Sequence, residues 1–228
     1  MAITIVNSIL TTAAGGTGSV ALAFTGTAQD DIVVTWGGFA GGSATAPGVV
    51  SPTGYSSLLV VDSAATDFKI EWKRLGATPD TSVLLSKSGD VADAVGYGAY
   101  VLRGVVSSGD PFNATIKTSI ATGVPNVPSI VTVTNEAMVL ALGVNDVFDS
   151  SPGVLTRFNA NMGGSTNDTD DFSVAGAASV IATAGSIYPS VWTTWSSGAY
   201  NTAAIALTPA SVIVGLGRVN FLTTLNSG

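Results

Sequence analysis

A chain of 228 residues with no His and no Cys cannot build a Ser-His-Asp triad, a Cys-His pair or a common zinc site, since each needs an imidazole or a thiolate. Its net charge of −7 and its scattered cations (Lys69, Lys73, Arg74, Lys87, Arg103, Lys117, Arg157 and Arg218) offer no basic cluster for counterion release, which argues against nucleic-acid binding. The mean hydropathy of +0.48 is high, yet the apolar runs are about four to eight residues long, far short of the roughly 20 that a spanning helix needs.

Strand-like runs rich in Val, Ile, Thr and aromatics, bounded by Gly, Pro, Asn or Asp, open at Ile3 to Leu10. They follow at Ser19 to Phe24, Ile32 to Trp36, Ser56 to Val61, Phe68 to Leu75, Ser82 to Ser86 and Val95 to Val105. The second half continues with Thr115 to Ile120, Ile130 to Thr134, Ala137 to Val144, Leu155 to Asn161, Phe172 to Thr183, Val191 to Trp195, Ala203 to Thr208 and Val212 to Leu222. Apolar residues at i, i+3 and i+4 are scarce; even the Ala-rich Ala175 to Ala184 carries Ser, Val, Ile and Thr and reads as strand. The expected fold is all-β: two antiparallel sheets packed as a jelly-roll-like sandwich over residues 1–209, with a β extension at 210–228. No internal repeat is visible.

The run Ala137 to Val144 (AMVLALGV) is apolar on both faces, unlike the strict alternation of an outer-membrane strand, so it needs cover on both sides from the chain itself or from neighbouring subunits. With only 10% charged residues, a monomer would expose much apolar surface, which points to an assembled state. The start of the chain lacks a basic region followed by a long apolar stretch, and cytoplasmic synthesis is the simplest reading.

A carboxylate pair for glycoside hydrolysis stays open on composition, and the two Glu are Glu71 and Glu136. Alternation in Phe68 to Lys73 places Lys69, Glu71 and Lys73 on one face of a strand, expected to be solvated. Asp30-Asp31 reads as a turn into the next strand. The cluster Asp168, Asp170 and Asp171 offers oxygens suited to Ca²⁺ but lacks the glycine and distal glutamate of an EF-hand, and a plain acidic turn explains it. Neither Gly15 to Gly18 nor Val214 to Arg218 completes a phosphate-binding glycine motif. Trp192 and Trp195, three apart, fall on opposite faces of a regular strand, so at most one of them is available for stacking on a sugar. The long Gly37 to Gly54 stretch is either a solvated surface loop or a contact loop. No catalytic residue, cofactor or metal site is assigned.

Several pieces, in order, resemble a family of β-sandwich proteins of bacteriophage and prophage virions. They are Asp31 to Val34, Ser51 to Leu59, Phe68 to Lys73, Ala99 to Val105, Asp110 to Phe112, Ala137 to Leu140 and Ala203 to Pro209. The resemblance implies a non-enzymatic virion structural protein on the outer surface, a capsid decoration or cement protein bound to the major capsid protein or other virion proteins. A tail-associated receptor-binding or lectin-like carbohydrate-binding module is the alternative. It also implies a homo-oligomer, with trimers common in the family. Ser211 to Leu225 is a strand-forming run apolar on both faces, so Val212, Val214, Leu216, Val219, Phe221 and Leu222 are the expected subunit-interface residues.

Overall fold

The computed structural model describes residues 2–15, 19–40, 49–61, 66–87, 93–149, 154–166 and 171–211. Seventeen strands and no helix occur among them. The first half of the chain supplies β1 (Thr4–Ala13), β2 (Ser19–Ala23), β3 (Ile32–Ala40), β4 (Val49–Val50), β5 (Ser56–Val61), β6 (Thr66–Arg74), β7 (Ser82–Lys87) and β8 (Val95–Arg103). The second half supplies β9 (Lys117–Gly123), β10 (Asn126–Val127), β11 (Ile130–Val131), β12 (Ala137–Asn145), β13 (Ala160–Thr166), β14 (Phe172–Ile181), β15 (Ser186–Ile187), β16 (Ser190–Val191) and β17 (Gly198–Leu207).

Two five-stranded antiparallel sheets, ordered β1-β8-β3-β6-β5 and β13-β14-β12-β17-β9, face each other as the expected sandwich. The jelly-roll winding is not confirmed. That winding passes repeatedly between sheets, whereas here the chain finishes one sheet by Arg103 and builds the other from Lys117 onward. Between the sheets, Ile32, Val34, Phe68, Ile70 and Leu102 meet Leu140, Leu142, Val144, Val174 and Ile205. At about 1.5–3 kcal/mol for each fully buried large apolar side chain, this layer is the main stabilising term. Trp36 spans it: the indole lies over Gly98 of its own sheet, reaches Gly176 of the other, and its Nε1 donates to the Ala175 carbonyl at 3.1 Å. Only glycine leaves room for it at those two positions.

Each sheet also has its outer face covered by the same chain. On the first, β2, β7 and β4 form a third sheet, and Leu22, Phe24, Val83 and Leu85 close over Val33, Tyr97 and Val101. On the second, the ribbons β10–β16 and β11–β15 and the adjoining turns bring Ile130, Leu155, Trp192 and Trp195 over Val139, Ala141, Ala175 and Ala177. The run Ala137 to Val144 is therefore covered on both faces within one chain, and its composition does not call for a neighbouring subunit.

The connectivity contains a repeat that the residues conceal. If the sheet strands of each half are taken in chain order, both sheets read first, fifth, second, fourth, third. In both halves the connection between the first and second sheet strands pairs antiparallel with that between the fourth and fifth: β2 with β7 in one, β10 with β16 and β11 with β15 in the other. Registers agree as well. Trp36 pairs with Ile70 and Gly98 in the first sheet as Leu142 pairs with Gly176 and Ala203 in the second, a spacing of about 105 residues throughout. The described non-glycine residues with positive φ, Asp30 (67°) and Glu136 (60°), stand at matching positions before β3 and β12. The ends of the two repeats pair reciprocally, Val105 with Pro209 and the Ala210 N–H with the Gly104 carbonyl at 2.7 Å, as a two-fold relation requires.

Several boundaries differ from expectation. Gly37–Ala40 belongs to β3 and Gly163–Thr166 to β13, because neighbouring strands extend the ladder through residues whose composition reads as loop. Ala175 to Ile181 is strand as expected, within β14. After Val191 the chain turns, so Trp192 to Trp195 is no strand.

Candidate functional site

A surface groove of about 520 Å³ lies where the first sheet's cover meets the turn before β5. The turn is closed by the Tyr55 N–H donating to the Pro52 carbonyl at 3.1 Å, and Gly54 takes φ 81°, a conformation that costs glycine little. It delivers Ser51, Thr53 and Tyr55 to one wall. β7 contributes Ser82, Leu84 and Ser86, the loop before it Asp80, and β6 contributes Lys73. Lys73 Nζ stands 2.7 Å from Asp80 Oδ2 and 5.6 Å from the centre of the Tyr55 ring.

Behind this wall lies a correction to the sequence reading. Lys69, Glu71 and Lys73 do share the outer face of β6, but the third layer covers that face: Glu71 is 1% exposed rather than solvated. Lys69 Nζ is 3.1 Å from Glu71 Oε1 and donates to Ser51 Oγ at 2.6 Å. Among the described residues neither Glu71 oxygen receives a well-aligned hydrogen bond, and Lys69 offsets its charge as an ion pair. The buried hydroxyls of Tyr55 and Tyr97 also have no hydrogen-bond partner among the described residues. Burial pushes both phenols well above the usual tyrosine range, with Asp80 and then Glu71 adding to the effect at Tyr55 and Glu71 at Tyr97.

The other sequence candidates separate. Glu136 is exposed in the turn before β12, on the opposite repeat from Glu71, so the two Glu do not form a pair. Asp31, read as a turn residue, is buried at 1% exposure and takes a two-pronged ion pair from Arg103, with Nε to Oδ1 at 2.9 Å and a terminal nitrogen to Oδ2 at 2.8 Å. The Ala28 N–H adds a third donor at 2.8 Å, and Arg103 also donates to the Gly26 carbonyl. This fastens the entry of β3 to the end of β8. Trp192 and Trp195 are both buried, meeting edge to face with ring centres 5.2 Å apart, and Trp72 lies edge-on to Phe112, so the Trp192/Trp195 pair offers no sugar platform.

Asp168, Asp170 and the proposed interface residues Val212, Val214, Leu216, Val219, Phe221 and Leu222 lie outside the described residues, as does most of the 210–228 extension. Among the described residues no group of three or more carboxylates could hold a metal ion, and no helix is long and apolar enough to cross a membrane.

A surface that sequence reasoning missed covers the second repeat. Gly123–Asn135 and Ala182–Thr202 contain no charged residue, and they expose Val124, Val131, Val133, Tyr188 and Val191. The absence of charge was readable; that these two stretches pair into one layer was not. No family model, curated protein or solved structure matches this chain.

Proposed function

We propose that this chain is a non-enzymatic virion structural protein, a decoration or cement protein that binds the outside of a phage head and stabilises it. The observation that carries this reading is the uncharged cover of the second repeat, stiffened by Pro125, Pro128 and Pro189 and exposing Val131, Val133 and Tyr188. Permanent interfaces are depleted in charge and enriched in apolar and aromatic side chains at their centre. Beneath that surface the layer is anchored by Ile130, Trp192 and Trp195, so docking would order little new chain. The resemblance of the sequence pieces to phage virion proteins supports the same reading, with the major capsid protein or another virion protein as partner and a homo-oligomer, a trimer by resemblance, as the assembled form. Cryo-electron microscopy of purified particles tests it. Density for the sandwich on the head, with the β10–β16 and β11–β15 layer against the shell, is expected. Its absence from particles overturns the proposal, and density on the tail shifts it to the receptor-binding alternative.

A further inference from the structure

We propose that the groove at Ser51, Tyr55, Lys73, Asp80 and Ser82 is a binding site for a neutral carbohydrate, carried by the first repeat alone. The inference goes beyond the bracing role and concerns the opposite repeat from the surface that carries it. Its first support is the chemistry of the lining. Lys73 is the one cation and Asp80 the one carboxylate among the described lining residues, and they are paired, so the described lining offers no net attraction to an anionic or cationic ligand. What remains is a set of hydroxyls on Ser51, Thr53, Ser82 and Ser86, a carboxylate and an ammonium that can each exchange one hydrogen bond with a ligand, and the apolar surfaces of Tyr55 and Leu84. Hydroxyl-bearing rings with apolar C–H faces match that mixture. Leu84, 58% exposed, is turned outward by alternation with the buried Val83 and Leu85.

The second support is the comparison between repeats, which separates what the fold needs from what it does not. Strand register places Ala175, Ala177, Ser179 and Thr202 of the second repeat where the first has Lys69, Glu71, Lys73 and Tyr97. Over the two alanines sit Trp192 and Trp195, whose own indole Nε1 atoms are likewise buried without a hydrogen-bond partner among the described residues. The same architecture thus closes over an interior that buries no charged side chain among the described residues. In the first repeat it instead holds a buried carboxylate paired with Lys69 at 3.1 Å and two buried phenols that have no hydrogen-bond partner among the described residues, an arrangement that costs stability. The second repeat shows that the fold does not require these groups, and of them Tyr55 lines the open groove.

The test uses the full chain on an array of neutral and acidic glycans, followed by calorimetric titration with the best neutral oligosaccharide. Asp80→Asn, which keeps shape and removes the charge, should weaken binding at least tenfold. Ser82→Trp, on an exposed residue, should block it while leaving the melting temperature unchanged. The control Asp110→Asn, outside the groove lining, should bind as the parent does. Three results overturn the proposal: no neutral glycan bound at millimolar concentration, preference for acidic glycans, or binding within twofold of the parent in a folded Ser82→Trp protein. None of them bears on whether the protein sits on a virion.

Discussion

Replacing Gly176 with alanine tests whether Trp36 is the wedge that sets the spacing of the two sheets. A Cβ at position 176 would stand 2.8 Å from Trp36 Cη2 and closer still to Cζ2, against about 3.5–4.0 Å for comfortable carbon–carbon contact. The indole cannot retreat: behind it a Cβ at Gly98 would lie 2.5 Å from Cη2, and its Nε1 is tied to the Ala175 carbonyl. Overpacking of this kind costs about 1–3 kcal/mol, offset by roughly 0.5 kcal/mol because alanine loses less backbone freedom than glycine on folding. At about 2–4 °C per kcal/mol for a chain of this size, thermal melting followed by circular dichroism should show a fall of roughly 1–10 °C. Gly76→Ala, with nothing within 4 Å of the added carbon, should change it little. Adding Trp36→Phe to Gly176→Ala should recover part of the loss relative to Trp36→Phe alone, since the smaller ring relieves the clash. A Gly176→Ala protein that melts at or above the parent's temperature would refute the wedge argument.

The alkaline limit of stability follows from Tyr55, Tyr97 and Tyr100, whose phenols burial holds above the ordinary value of 10.0. The unfolded chain releases these protons near pH 10 and the folded chain does not, so their contribution is complete below that pH and is lost as pH rises through it. Melting temperature should fall steeply above pH 10, with tyrosinate absorbance appearing together with unfolding; tyrosinate from these three in the folded protein contradicts the burial. Trp36, Trp192 and Trp195 are at most 3% exposed, so acrylamide should quench mainly Trp72, and Trp72→Phe should abolish most quenching. Arg103→Gln should lower the melting temperature more than Lys73→Gln, because the Asp31 it leaves behind is 1% exposed whereas Asp80 can be rehydrated. Asp30→Gly and Glu136→Gly should both leave stability unchanged or raise it by up to about 1 kcal/mol, as each relieves a positive φ; opposite signs in urea titrations would contradict their equivalence.

Fold class was legible because it depends on short-range physics. Runs such as Ile32-Val33-Val34-Thr35 are β-branched and suit a pleated, buried strand, and the absence of His and Cys removes whole chemistries without reference to structure. Period-two alternation also placed Lys69, Glu71 and Lys73 correctly on one face of β6. Whether that face is wet is decided by β7, the next strand in the chain, and by the distant β2, which pair with each other and fold over it. The same holds for Trp192 and Trp195, where local spacing assumes a regular strand and the real turn buries both against Ala175 and Ala177. The repeat lay furthest from view. Trp36 matches Leu142, Glu71 matches Ala177 and Tyr97 matches Thr202, pairs with no identity to detect. Alternation records which residues share a side of a strand, while strand order, register and the third layer arise from hydrogen bonds and contacts between distant segments, so the buried carboxylate and the groove beside it exist only once the chain has closed over itself.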